Sequence, residues 1–147
     1  MAEVIEADYL VIGAGGMGMA FVDEILTHSD ATVVMVDKNF RPGGHWNYVY
    51  PFCRLHQTST CYGVNSTELG GDRRDEFGLN KGCYELASGS EVVAYFDNVM
   101  RRRFIPSGRV KFLSMCEYDK DSGRARNTVS GSEYEFKVKK TVDSTYL

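Results

Sequence analysis

Tyr9-Leu10-Val11-Ile12-Gly13-Ala14-Gly15-Gly16-Met17-Gly18 is the stretch that decides the fold. Four apolar residues stop abruptly at a glycine, which is the pattern of a strand buried on both faces. The glycines that follow satisfy G-x-G-x-x-G, a weak pattern unless a strand precedes it and a helix follows. Both conditions hold here. From Gly16 to His28, Met17, Phe21 and Ile25 recur at four-residue spacing with Ala20 beside them, which predicts an amphipathic helix with that stripe turned inward. Ser29 and Asp30 break the helix. Ala31-Thr32-Val33-Val34-Met35-Val36 then predicts a second buried strand, ending at Asp37, nineteen residues after Gly18. Strand, helix and strand within about thirty residues is the length of a parallel βαβ unit.

Each position of the turn has a physical task. Gly13 permits the tight bend, Gly15 lets a pyrophosphate approach the backbone, and Gly18 lets the helix pack closely on the strand. The helix N-terminus adds free N–H groups and a partial positive charge. Gly13, Ala14, Gly15, Gly16, Met17 and Gly18 are therefore the candidate cradle for a dinucleotide. The carboxylate of Asp37, with Lys38 next to it, is placed to accept hydrogen bonds from a ribose, and its charge would repel a 2′-phosphate, which argues against NADP at this site. Just beyond lies Arg41-Pro42-Gly43-Gly44-His45-Trp46. Two adjacent glycines let backbone pass close to a flat or charged ligand. Trp46, the only tryptophan, either covers a ring or plugs the loop into the core.

A length of 147 residues predicts one domain, residues 1–147, with a core that buries roughly 70% of the unfolded surface. With 17 basic against 20 acidic side chains the chain lacks the basic footprint of a nucleic-acid binder. Its apolar runs, such as Val33 to Val36, are too short to span a bilayer, and no membrane partner is expected. The start, Met1 to Glu6, is acidic where a secretory signal would be basic, so a cytoplasmic location is the expectation. Cys53, Cys61, Cys83 and Cys116 form no C-x-x-C pair and are expected to be free thiols. Cys53-x-x-His56 lacks a matching second pair, which argues against a metal site. The sequence holds no P-loop, H-E-x-x-H or G-x-S-x-G, so a hydrolase has no support.

Between Arg41 and Ala87 no period is sustained, which predicts long loops. Ser88 and Glu91 fit a capping box ahead of a helix carrying Val92, Phe96, Val99 and Met100. Arg101, Arg102 and Arg103 fall in its last turn as a solvated end, and Pro106 and Gly108 stop it. Val110–Tyr118, Arg124–Val129 and Tyr134–Val138 read as an antiparallel meander, followed by one more strand from Thr141. The expected fold is α/β and Rossmann-like, a parallel sheet with an antiparallel β-meander inserted before the last strand.

The run Asp8 to Gly15, then Val36-Asp37-Lys38, then Gly43-Gly44-His45-Trp46, resembles the start of a flavin-containing monooxygenase, within the wider superfamily of flavoproteins with two dinucleotide-binding domains. In that family the first G-x-G-x-x-G holds the FAD pyrophosphate, the acid holds the adenosine ribose, and a G-G-x-W loop borders the flavin. The resemblance implies those roles for Gly13, Gly15, Gly18, Asp37, Gly44 and Trp46, with Ala14, Gly16, Met17, Lys38 and His45 beside them. It adds His56 and Gln57, in Arg54-Leu55-His56-Gln57, as further flavin-side candidates. It implies FAD as cofactor and NAD(P)H as co-substrate only if a further domain is supplied, and it singles out no catalytic residue.

The departures are equally specific. Family members run several hundred residues and carry a second G-x-G-x-x-G and a late Gly-Asp element, neither of which occurs here, and the Baeyer–Villiger fingerprint is absent as well. The expectation is a truncated FAD/NAD(P)-binding segment, incomplete as a stand-alone enzyme. A missing C-terminal domain or a homodimer would then cover the exposed sheet edge. A disulfide reductase would need two sulfurs in reach, yet Cys53 and Cys61 are eight apart with His56 between them. Two alternatives stay open: an NAD-binding dehydrogenase domain, and a non-catalytic nucleotide-binding or interaction protein.

Overall fold

The structure, a computed structural model, describes residues 2–146. The chain runs β1 (Glu3–Ile12), α1 (Gly16–His28), β2 (Val33–Val36), a small hairpin of β3 (Gly63–Val64) and β4 (Thr67–Glu68), and α2 (Gly89–Val99). Then come β5 (Val110–Leu113), β6 (Cys116–Asp119), β7 (Arg124–Asn127) and β8 (Glu133–Asp143). Six strands form one sheet in the order β5-β2-β1-β8-β7-β6. The first four are parallel to one another, with Tyr9 opposite Val33 and Lys140, and the last two pairings, β8 with β7 and β7 with β6, are antiparallel.

The sheet is thus mixed, which corrects the expected parallel sheet with an inserted meander. Val110–Tyr118 is not one strand. It breaks at Ser114 and Met115, the latter at a φ of 55°, so that β5 joins the parallel edge beside β2 while β6 turns back as the first antiparallel strand. The residues read as two separate strands from Tyr134 onward are one continuous strand, β8, because β1 is long enough to pair with it from Glu3 to Ile12. The meander's third strand is therefore itself the last strand of the parallel set.

The two helices share one face of the sheet. Met19, Val22 and Leu26 of α1 meet Val92, Tyr95, Phe96 and Val99 of α2 over Val11, Val33 and Met35. The opposite face packs Ile5, Leu10, Ile12, Val34 and Val36 against Leu113, Cys116 and Ala125. Every residue of β2 is buried, as a strand covered on both sides requires.

The inward stripe of α1 is not the one expected. Met17 is 77% exposed, while Gly18, Met19, Val22, Asp23 and Leu26 are buried and Phe21 and Ile25 flank them. Gly18 sets this rotation. A Cβ on it would stand 2.1 Å from the Gly13 carbonyl oxygen, so its face must lie against the end of β1. The residues that follow it on that side of the helix, Val22 and Leu26, are then the ones that point in.

The capping box on α2 forms as expected. The Ser88 hydroxyl accepts from the Glu91 amide at 3.4 Å, and the Glu91 carboxylate accepts from the Ser88 amide at 2.7 Å. Beyond Val99 the helix widens into a π-turn (Met100–Phe104) and a 3₁₀ turn (Ile105–Ser107), ended by Gly108 in the left-handed region. The arginines there differ from the expected solvated end. Arg101 pairs with Asp97 at the surface, but Arg103 reaches the fully buried Asp23 of α1 at 2.7 Å and Thr27 at 2.8 Å. Asp23 also accepts from the Ser66 amide and hydroxyl, so one buried carboxylate ties α1, the β3–β4 turn and the end of α2 together.

Candidate functional site

The glycine turn leaves β1 at Gly13, whose φ of 96° is open only to glycine at low cost, and enters α1 at Gly15. The Gly13 amide continues the ladder to the Val36 carbonyl. The Ser144 hydroxyl, at the end of β8, donates to the carbonyl oxygens of Ile12 and Gly13, at 2.8 and 2.9 Å. Gly15 caps α1 without a side-chain bond, and no acidic residue lies in the first turn. Intrahelical bonding begins with the Met19 amide donating to the Gly15 carbonyl, so the amides of Gly16, Met17 and Gly18 precede the ladder.

Asp37, 6% exposed, is pinned between this turn and its own loop. One carboxylate oxygen accepts from the Ala14 amide at 2.6 Å and the other from the Asn39 amide at 2.7 Å. Each oxygen keeps a further lone pair for an outer donor. Lys38 beside it is exposed and makes no hydrogen bond or ion pair among the described residues. Asn39 is buried, and Tyr48 closes on it through a phenol–amide hydrogen bond.

The Gly-Gly loop is brought onto the glycine turn. Gly43 donates to the Ala14 carbonyl at 2.8 Å, and Gly44, at a φ of 53°, lies so close to Gly15 that a Cβ on it would stand 2.9 Å from the Gly15 Cα. These glycines allow backbone to pass backbone. Gly15 is the exception among the glycines gathered here. Its φ of −78° suits any residue, and a Cβ on it would meet only ordinary contact, 3.6 Å to Gly44. Nothing among the described residues demands a glycine at that position.

Trp46 sits partly buried above the same turn, stacked against the exposed ring of His45 at 5.4 Å. Its indole N–H donates to the Tyr62 hydroxyl at 2.7 Å, and Tyr62 packs edge-on against the buried Phe96. A Cβ on Gly16 would come within 3.1 Å of that same hydroxyl. Tyr62 and Ser144 are site residues that the sequence pattern did not single out. Ser144 left a faint signal as a hydroxyl residue just past a strand, whereas Tyr62 lies in an aperiodic loop. His56 and Gln57 are exposed. The Gln57 amide donates to the Cys61 carbonyl, and no hydrogen bond joins either residue to the glycine turn among the described residues.

The four cysteines are free, and no cluster of three metal-ligating side chains occurs among the described residues. No described helix is long and apolar enough to cross a membrane.

No protein-family model matches the chain. Uncharacterized proteins Rv2000 of Mycobacterium tuberculosis and Mb2023 of Mycobacterium bovis are each 53% identical to it over 147 residues. That alignment takes in 99% of this chain but 27% of theirs, so the chain spans little more than a quarter of these relatives' length. Among solved structures it is similar to a flavin-containing monooxygenase from Stenotrophomonas maltophilia, 17% identical with a TM-score of 0.65 over 99% of this chain and 39% of that one. It is also similar to a bacillithiol disulfide reductase from Staphylococcus aureus, 11% identical with a TM-score of 0.67 over 99% and 39%. A cyclohexanone monooxygenase variant from Rhodococcus sp. Phi1 is 25% identical, with a TM-score of 0.56 over 94% and 26%. The fold is a flavoprotein-like one. Nearly all of this chain matches a fraction of each such protein.

Proposed function

We propose that this chain is the FAD-binding segment of a flavin-dependent, NAD(P)H-using oxidoreductase of the monooxygenase-like kind, within a Rossmann-like fold. The observation that carries the reading is Gly15. The other glycines of the site are explained by positive φ or by a contact of 3.1 Å or less that a Cβ would make, but Gly15 is explained by neither. A side chain removed where the protein has no need to remove it, at the mouth of an uncapped helix, fits a ligand whose charged group approaches the backbone there. The diphosphate of FAD is such a group.

The residues then take simple roles. The amides of Gly16, Met17 and Gly18 face the phosphates, and Ala14 and Gly44 hold the loop around them. Asp37 keeps an outer lone pair on each oxygen for the ribose hydroxyls, while its charge disfavours a 2′-phosphate. Lys38, His45 and Trp46 flank the entry. His56 and Gln57 stay candidates for the flavin side in the longer protein. When bound, the flavin supplies the hydride and oxygen chemistry, and the protein supplies binding and orientation. The names of the structural neighbours support a flavin, and the share of those chains that is matched supports a segment rather than a whole catalytic unit.

The test is retention of flavin. The purified chain is incubated with FAD, passed through gel filtration and examined by visible absorption, with a parallel titration by NAD. A bound-flavin spectrum with negligible NAD affinity is expected. A folded chain that releases all its flavin, or that saturates with NAD instead, would overturn the reading.

A further inference from the structure

The Tyr62 hydroxyl is held beside Gly16 in the first turn of α1. Its ring is fixed from two sides, edge-on to Trp46 with centroids 6.0 Å apart and edge-on to Phe96, also at 6.0 Å. Its amide is tied to the Ser59 carbonyl at 3.0 Å. The phenol oxygen accepts from the indole N–H of Trp46 at 2.7 Å. A phenol has one proton to give, and that proton finds no acceptor among the described residues. The oxygen stands 3.1 Å from where a Cβ on residue 16 would be, so glycine at that position keeps the space beside the hydroxyl clear. Trp46 therefore fixes the oxygen through its lone pair and leaves the O–H free, next to the unbonded amides of the helix end.

We propose that Tyr62 donates a hydrogen bond to the diphosphate of the dinucleotide, and that Trp46 is its positioning residue. This rests on the dinucleotide reading above and deepens it. The contact selects for the ADP-like charged portion of the ligand and not for the nucleoside. It also gives Trp46 a task apart from covering a ring, because its only polar atom is directed at Tyr62 and not outward.

The test separates phosphate recognition from general integrity of the loop. FAD and ADP are titrated calorimetrically into the 147-residue chain and its Tyr62→Phe variant, and adenosine is followed by ligand-observed NMR. A hydrogen bond to a charged group is worth enough that Tyr62→Phe is expected to weaken FAD and ADP by about ten-fold or more. Adenosine affinity should stay at the wild-type value. Trp46→Phe, which keeps the phenol and removes its holder, should give a smaller loss for ADP and again none for adenosine. It also keeps the question answerable if Tyr62→Phe fails to fold. Wild-type ADP affinity in folded Tyr62→Phe, or equal losses for ADP and adenosine, would overturn the role of Tyr62. A folded wild-type chain that binds neither FAD nor ADP would instead overturn the dinucleotide reading on which it rests.

Discussion

The two helices lie side by side on the same face of the sheet, yet their N-termini are built in opposite ways. The end of α2 is closed by its own sequence. Ser88 and Glu91 exchange hydrogen bonds with each other's backbone amides, and an acid sits in the first turn. The end of α1 is left open: a glycine caps it, no side chain bonds to the cap, and no acidic residue lies in its first turn. Three of its first four residues, counted from the cap, are glycine. The difference teaches how to separate structural from binding features in this molecule. The α2 end satisfies its own backbone, whereas the α1 end, the proposed dinucleotide site, lacks both the capping side chain and the acid.

The largest expected effect tests how α1 is seated. In Gly18→Ala the new methyl would collide with the Gly13 carbonyl at 2.1 Å and the Ser144 hydroxyl at 2.7 Å, so backbone must move. A loss of more than about 4 kcal/mol in urea unfolding, or no folded protein at all, is expected. Next is the bond between the helices. Arg103→Met strips the buried Asp23 of its cation and should cost about 3 kcal/mol, read from the same unfolding curves. Ser88→Ala makes the end of α2 uncapped like that of α1, and about 1 kcal/mol should be lost.

The same cap gives a pH signature. The amide and hydroxyl of Ser88 hold the Glu91 carboxyl below its ordinary 4.5. A carboxyl depressed in the folded state contributes stability that is present above its unfolded value and is lost as pH falls through its folded value. Asp8, bonded by Lys139 and Thr32, and Asp143, bonded by Lys120 and Thr145, behave alike, both being lowered from 3.8 to about 2. Thermal melts should therefore be level above pH 4.5 and decline progressively toward pH 2. Glu91→Gln should flatten the upper part of that decline.

How much of this was legible in the sequence follows the range of the interactions. The β1-α1-β2 unit and the capping box are local patterns, and the structure forms both. Asp37 was legible as an acid at a strand end, though not its double anchoring by the Ala14 and Asn39 amides. The inward face of α1 was misread because four-residue spacing gives Met17-Phe21-Ile25 as good a stripe as Met19-Val22-Leu26, and only the contact of Gly18 with Gly13 chooses between them. The segment from Arg41 to Ala87 was opaque because side chains far apart in sequence hold it. The Ser59 hydroxyl bonds to Glu85 and Ala87, the Tyr95 hydroxyl to Val64 and Thr67, and Trp46 to Tyr62. None of these pairings leaves a periodic trace. Tyr62 was missed for that reason, and Arg103 because a charged triplet does not reveal which member faces a buried acid.

The most direct test of the central claim is to close the open helix. Gly15→Asp places a capping carboxylate on a residue whose φ of −78° accepts it and whose Cβ meets only ordinary contact. The cap should be neutral or stabilising by a few tenths of a kcal/mol. FAD is titrated into wild type and variant by calorimetry after thermal melts establish that both are folded. The account predicts saturable binding to wild type and none to Gly15→Asp at an undiminished Tm. Equal FAD binding by the two proteins would contradict it.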